Sequence, residues 1–176
     1  MMPLYRCKIV LVPLAIIAAF FLWRHYLFAT MSYRLDPRLT DVVETMHDIM
    51  LQSAEDRIVI SDGKVEPVSL QGIVPEDVML DIENADIDID KAVFSRWCRE
   101  SCVFRSAFGI DRPFEIGYWP YWYFVYISGG KPEAAIVPSL SDALENRGNL
   151  DPNLGYAFCE PQEQENWYLC TALPPS

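Results

Sequence analysis

FEIGYWPYWYFVY occupies residues 114–126 and holds eight aromatic side chains in thirteen positions. An extended chain would divide its second half between two faces, with Tyr121, Tyr123 and Val125 on one face and Trp122, Phe124 and Tyr126 on the other. Neither set is charged, so such a strand needs cover on both faces. The stretch therefore predicts a central strand in a packed sheet, and the remaining residues must supply its neighbours and covering layers.

The same aromatic side chains also have a functional interpretation. Large aromatic residues dominate many protein-binding surfaces, and their rings stack on sugar rings. In an exposed row, Trp119, Tyr121 and Trp122 would anchor such a surface. The sequence leaves both interpretations open, a buried strand or a binding surface for a protein or a glycan.

Three helices are predicted from apolar residues that recur at spacings of three and four. The first begins at Asp36 and Pro37, because Pro suits the first helical turn and an Asp carboxylate accepts free amide hydrogens. The second begins at Lys91 with Asp90 as its cap, after an acidic segment that we interpret as a solvated loop. The third is a short helix over residues 139–147.

Hairpins supply the other strands. Asp62 and Gly63 lie between two β-branched runs, which predicts two antiparallel strands joined by a tight turn. Residues 128–131 (SGGK) predict a turn from the aromatic strand into residues 133–137, and two strands on either side of residues 161–165 complete the domain. Together the elements predict an α+β domain with an antiparallel sheet of about five or six strands and about three helices.

The first 31 residues differ in composition from the rest. Arg6 and Lys8 precede residues 9–23, which include no charged or polar side chain. These fifteen residues span only about 22 Å as a helix, but continuation to residue 31 is long enough for the roughly 30 Å core of a bilayer. We expect a transmembrane signal anchor at residues 1–31 and an extracytoplasmic domain at residues 32–176, with a cleaved secretory signal as the alternative.

Four cysteines follow the expected anchor: Cys98, Cys102, Cys159 and Cys170. An even number in a domain of this size is typical of disulfide bonds in an oxidising compartment. The predicted C-terminal strands favour Cys159 with Cys170, and Cys98 would then join Cys102 across a helix end. With the N terminus in the cytoplasm, we expect a single-pass protein of the cell inner membrane whose C-terminal domain is periplasmic or extracellular.

Charge limits the partners that this domain would bind. After residue 31 the chain has eleven basic and 25 acidic side chains, a formal charge of −14, so we expect no nucleic-acid partner. Asp86, Asp88 and Asp90 match the first three ligand positions of a calcium loop, but Lys91 replaces the Gly of its turn. A looser Ca²⁺ site and a solvated loop therefore stay open as alternatives.

No catalytic motif stands out in the chain. His47 is the single histidine after the expected anchor, and its place on an apolar helix stripe favours a packing role. The chain has no G-x-S-x-G, no phosphate-binding glycine loop and no H-E-x-x-H. The sequence favours a non-enzymatic protein-protein interaction module in the cell envelope. A glycan-binding module that uses residues 118–126 and an acid-pair hydrolase acting on an extracytoplasmic substrate are the alternatives.

Overall fold

A mixed eight-stranded sheet organises the computed structural model, which describes residues 33–98, 101–110, 121–145 and 157–172. The strands are β1 (Arg57–Ser61), β2 (Lys64–Glu66), β3 (Ile89–Cys98), β4 (Cys102–Ile110), β5 (Tyr121–Ile127), β6 (Ala135–Ile136), β7 (Ala157–Pro161) and β8 (Trp167–Ala172). Their spatial order is β2-β1-β3-β4-β5-β8-β7-β6. The β6–β7 pair is parallel, whereas the other pairs are antiparallel. The protein is α+β as predicted, but its sheet is mixed and larger than expected.

Three helices accompany the sheet in the described residues: α1 (Arg38–Gln52), α2 (Glu76–Glu83) and α3 (Leu140–Glu145). The apolar stripe of α1 is buried as its spacing predicts, at Leu39, Val42, Val43, Met46 and Met50. None of the described helices is long and apolar enough to cross a membrane. The predicted anchor at residues 1–31 lies outside the described residues, and those from Leu35 onward cluster as one compact unit.

Strand β5 lies inside the sheet, as the aromatic stretch predicts. It pairs with β4 on one side and with β8 on the other. Phe124 and Val125 are adjacent in sequence, point to opposite faces and are both 0% exposed. Burial of each side chain contributes about 1.5–3 kcal/mol, so both faces of the sheet must be covered at this point.

The helices cover one face of the sheet, which we call the inner face. Phe94, Ser106 and Tyr126 lie opposite one another on β3, β4 and β5, and point to this face. His47 of α1 packs on Ser106 and Tyr126, with Nε2 3.3 Å from the Ser106 Oγ. Helix α2 contacts α1 and β3. Helix α3 lies on the same face, because the Leu140 amide donates to Glu160 Oε2 at 2.8 Å on β7.

The outer face is covered in part by the chain that follows β5. Ala134 packs there against Val125, Ile127 and the buried Cys159 and Cys170. The predicted hairpin from residues 128–131 into residues 133–137 is therefore wrong, since β6 pairs with β7. Strand β5 already has β4 and β8 as neighbours, so the chain passes over the outer face to reach the sheet edge.

Residues 91–98 belong to strand β3, and the helix predicted for them is wrong. Ala92 and Phe94 are both 0% exposed on the inner face, so burial alternates along the segment with a period of two. Pairing with β1 and β4 satisfies the backbone of β3 on both sides. Asp90 is accordingly a strand residue at a register shift and not a helix cap.

Residues 76–83 form helix α2 where we predicted a solvated loop. Val78 and Ile82, one helical turn apart, are buried and attach the helix to the rest of the domain. Glu76, Asp77 and Glu83 stay exposed. Two apolar residues at helical spacing attach this acidic helix to the domain, while three of its four carboxylates stay exposed.

Both disulfide bonds have the pairing that the sequence favours. Cys159 joins Cys170 between β7 and β8, and Cys98 joins Cys102 between β3 and β4. The second bond closes a β-hairpin rather than a helix end. Cys98 and Cys102 are exposed, whereas Cys159 and Cys170 are buried. The Cys159–Cys170 bond thus lies within the outer layer and stabilises it, and the Cys98–Cys102 bond closes the end of a hairpin.

Asp36 is a buried carboxylate, 2% exposed, that joins two parts of the inner layer. It accepts hydrogen bonds from Arg38 Nη2 at 2.7 Å and from the Arg38 backbone amide at 2.9 Å. The backbone amide of Asp86 donates to the same carboxylate at 2.8 Å. The Arg38 side chain above all, and then these amides, hold the pKa of Asp36 below its usual value. One carboxylate thus links the start of α1 to the chain that follows α2.

We predict that Asp36→Asn lowers the free energy of unfolding at pH 7 by about 1–3 kcal/mol, because it replaces a buried charged acceptor of several hydrogen bonds with a neutral amide. Since the pKa of Asp36 is lowered in the folded state, its stabilisation is complete above the unfolded-state pKa of about 3.9 and is lost as the pH falls through the folded-state pKa. Urea titrations at pH 7 and at decreasing pH measure both effects. Asp41→Asn, on the exposed side of α1, is the control. Equal stability of Asp36→Asn and the parent at pH 7 would contradict this role.

Candidate binding face

The residues predicted to anchor a binding surface do not form one row. Tyr121 points to the outer face, is 42% exposed and stacks on Tyr123 with ring centroids 5.9 Å apart. Trp122 points to the inner face and is half-buried, because neighbouring side chains of a strand alternate. Trp119 lies outside the described residues. Of the predicted anchors, Tyr121 is therefore the one that the structure places on the outer face.

Gly109 gives Tyr121 its position on the outer face. A Cβ at residue 109 would overlap the Tyr121 hydroxyl and the Asp90 carboxylate, so the tyrosine ring lies close against the backbone of β4. The hydroxyl donates to Asp90 Oδ1 at 3.4 Å. Glycine is required here because the side chain of β5 reaches across its neighbouring strand.

The structure describes all three aspartates of the calcium hypothesis. Asp86 Oδ1 lies 3.4 Å from Arg38 Nη2 on the helical side, while Asp90 contacts Tyr121 on the outer face and Asp88 is exposed. Within the residues that the structure describes, no group of three His, Cys, Asp or Glu side chains is arranged to hold a metal ion. The carboxylates of Asp86 and Asp90 have contacts on different sides of the sheet.

His47 and Ser106 form a polar contact inside an aromatic environment. The imidazole stacks on Phe104 at 4.4 Å between ring centroids and lies 5.6 Å from the ring of Tyr126. Burial lowers the pKa of His47 to about 4, although the neighbouring Asp48 charge acts in the opposite direction. The histidine is therefore neutral near pH 7. Ser106 is 0% exposed, so this polar contact lies inside the domain.

The outer face gathers basic side chains from four different strands. Lys64 and Lys91 each lie opposite Ser61, and Arg57 and Arg105 each lie opposite Ser95. Opposed residues of antiparallel strands point to the same face, so all four side chains share the face that holds Val93. We call Arg57, Lys64, Lys91 and Arg105 the basic patch. The basic patch is not visible in the sequence, because its four residues are far apart in the chain.

The basic patch stands out against an acidic chain. The described residues hold eight Lys and Arg side chains and 21 Asp and Glu, so the patch contains half of the described basic side chains. Ion pairs within the described residues use Arg38 and Arg96, and none involves the patch. Of the acidic strand residues, Glu66 lies on this face and Asp90 reaches it through the Tyr121 hydroxyl. The outer face therefore has the opposite charge to the protein as a whole.

An apolar strip runs through the basic patch. Val59, Val93 and Ala107 lie side by side on β1, β3 and β4 and are half-buried. The two lysines flank the strip on one side and the two arginines on the other. From the usual spacing of strands and residues, the members of each pair lie about 10 Å apart, and the pairs are separated by about 13 Å across the strip.

Two aromatic side chains border the patch. Trp97 lies on β3, two residues beyond the Ser95 that separates the two arginines, and is 55% exposed. Tyr123 lies opposite Gly109 beside the lysine row, and burial raises its pKa while the charge of Arg105 acts the other way. Lys and Arg donate charge-assisted hydrogen bonds to carboxylates, and the valines and Trp97 supply apolar contact. The face is thus suited to a partner that carries carboxylates on both sides of apolar side chains.

Comparison of the chain with protein-family models, with curated proteins and with solved structures found no match. Functional inference for this chain therefore depends on its own residues and their geometry. The outer face is the best candidate for a functional surface, because it combines the basic patch, the apolar strip and the exposed Trp97.

We predict that the free energy of unfolding falls more steeply between pH 6.5 and pH 4 in the parent protein than in His47→Gln. The unfolded chain takes up a proton on His47 near pH 6.5, whereas the folded protein does so only near pH 4. Protonation therefore favours the unfolded chain throughout this range. Urea titrations at half-unit pH intervals measure the difference between the two curves. Parallel curves would show that His47 titrates normally in the folded protein.

Proposed function

We propose that this chain is a membrane-tethered extracytoplasmic protein-protein interaction module, and that the outer face with its basic patch is the binding surface. The observation that supports this most directly is the collection of four basic side chains around an apolar strip in an acidic protein. None of the four has an ion-pair partner among the described residues.

Solubility does not account for this arrangement. A surface of mixed, dispersed charges keeps a protein soluble, whereas like charges on one face repel one another and weaken folding. The basic patch would gain from a partner that brings carboxylates to it. Trp97 and the apolar strip are partly exposed, and such a partner would remove their apolar surface from water.

The proposed location is supported by different features of the chain. Residues 9–23 are wholly apolar after Arg6 and Lys8, which is the pattern of a signal anchor. The two disulfide bonds suit an oxidising compartment. We therefore propose that the domain faces the periplasm or the exterior, with the anchor in the inner membrane.

Glycan binding receives less support than protein binding. A sugar ring stacks on an aromatic surface, but Tyr121 and Trp122 project from opposite faces of β5. The outer face instead combines charge with aliphatic side chains, which is more typical of contact with another protein.

We predict that a membrane-impermeant maleimide, added to spheroplasts of cells that make the full chain, labels none of Cys98, Cys102, Cys159 and Cys170 without a reductant. After mild reduction the exposed Cys98 and Cys102 should be labelled well before the buried pair. Mass spectrometry of the purified chain measures both results. Labelling that requires cell lysis, or four free thiols before reduction, would refute the proposed location.

We predict that a photoreactive phenylalanine analogue at Trp97 forms protein adducts in intact cells, because Trp97 is exposed beside the basic patch. Leu51 is the matched control, since it is also a large exposed apolar residue but lies at the end of α1. The double variant Arg57→Glu and Lys91→Glu should abolish the Trp97 adducts, with folding checked by thermal unfolding. Equal adducts at both positions, or adducts that survive the charge reversal, would contradict the proposed surface.

A further inference from the structure

We infer that the occupant of the basic patch is helix α2 of a second copy of this chain. The inference rests on the proposed binding face and adds the identity of the partner. It is carried by the match between two surfaces of the same molecule, one basic and one acidic, that lie on opposite sides of the sheet.

The acidic surface is formed by one side of α2. Glu76, Leu80 and Glu83 follow one another at spacings of four and three, so they share one side of the helix. Leu80 is 48% exposed, and both glutamates are exposed. Val78 and Ile82 hold the opposite side of the helix in the core. The helix thus presents an apolar side chain with a carboxylate on each side of it.

The dimensions of the two surfaces agree. Glu76 and Glu83 are seven residues apart, which is about 10 Å along a helix. The lysine pair and the arginine pair are about 13 Å apart across the apolar strip. Flexible Glu, Lys and Arg side chains can close the difference between these two spacings. A helix laid across the strip would place Leu80 on Val93 and a glutamate near each basic pair.

The contact has to be between molecules. Helix α2 packs with α1 and β3 on the inner face, and the basic patch is on the outer face, so the sheet separates the two surfaces of one chain. A bound pair would keep one helix and one patch available, on different copies. Such head-to-tail contacts produce a ring where the rotation between copies closes and an open chain where it does not.

The net charge of the copies opposes this association at long range. The opposite local charges of the basic patch and helix α2 favour it at contact. Copies with a formal charge of −14 after residue 31 repel one another, but at physiological ionic strength charges more than about 8 Å apart are largely screened. The patch and the helix would meet well within that distance. Attachment to one membrane would further raise the local concentration of copies.

The test uses the full chain reconstituted in vesicles of uncharged phosphatidylcholine, with donor-labelled and acceptor-labelled copies followed by energy transfer. Reversal of the patch (Arg57→Glu with Lys91→Glu) or of the helix (Glu76→Lys with Glu83→Lys) should each weaken self-association about tenfold or more. Mixing the two variants, or combining all four substitutions in one chain, should restore it. Raising NaCl from 50 to 300 mM should weaken the association of the parent chain.

A matched control separates this contact from a general charge effect. Glu163→Lys with Glu165→Lys changes the net charge as much as the helix reversal, at two exposed positions between β7 and β8. This control should leave self-association intact. All reversed positions are exposed, so thermal unfolding should confirm that each variant folds.

Two outcomes would overturn the inference. The first is self-association that survives reversal of the patch or helix, and the second is failure of the complementary variants to restore it. Absence of self-association, combined with Trp97 adducts to a different protein in cells, would reject the second copy while leaving the proposed function in place. Absence of both self-association and Trp97 adducts would reject the binding face itself.

Discussion

Two adjacent residues of β5, Phe124 and Val125, are completely buried on opposite sides of the same strand. A strand that hides side chains on both faces cannot lie at the surface, so it requires neighbours on both edges and a layer on each face. Strands β4 and β8 supply the edges. The helical layer supplies the inner cover, and Ala134 with the buried disulfide supplies the outer cover. The rest of the fold follows from meeting these requirements at one strand.

Among the described residues, the cover of the outer face is partial, and the part of the face without it holds the basic patch. Packing of Ala134 against Val125 and the Cys159–Cys170 bond covers the side of the sheet that includes β5, β7 and β8. On β1, β3 and β4 the same face holds the half-buried Val59, Val93 and Ala107, with the basic patch on both sides of them. The inner face instead uses its polar groups internally, as Asp36 with Arg38 and His47 with Ser106 show. Interior polar contacts stabilise the inner layer, whereas the basic patch forms no ion pair with the residues that the structure describes.

Much of the fold could be predicted because the relevant signals are local. The position of β5 follows from residues 121–127, α1 from a regular apolar stripe, and the β1–β2 hairpin from Asp62 and Gly63. The disulfide pairing could be favoured for the same reason, since Cys159 and Cys170 lie on consecutive strands. The helix predicted for residues 91–98 is wrong because their apolar residues fit a period of 3.6 as well as a period of two. Only pairing with β1 and β4 distinguishes the two.

Composition and local periodicity are enough to specify the acidic character of the chain, the wholly apolar run near the N terminus and the elements whose period is unambiguous. The basic patch was decided by tertiary structure alone. Arg57, Lys64, Lys91 and Arg105 come from four strands, and each reaches the outer face only because of the register in which those strands pair. A shift of one residue in any strand would turn its side chains to the other face, so linear sequence cannot show which charges will meet.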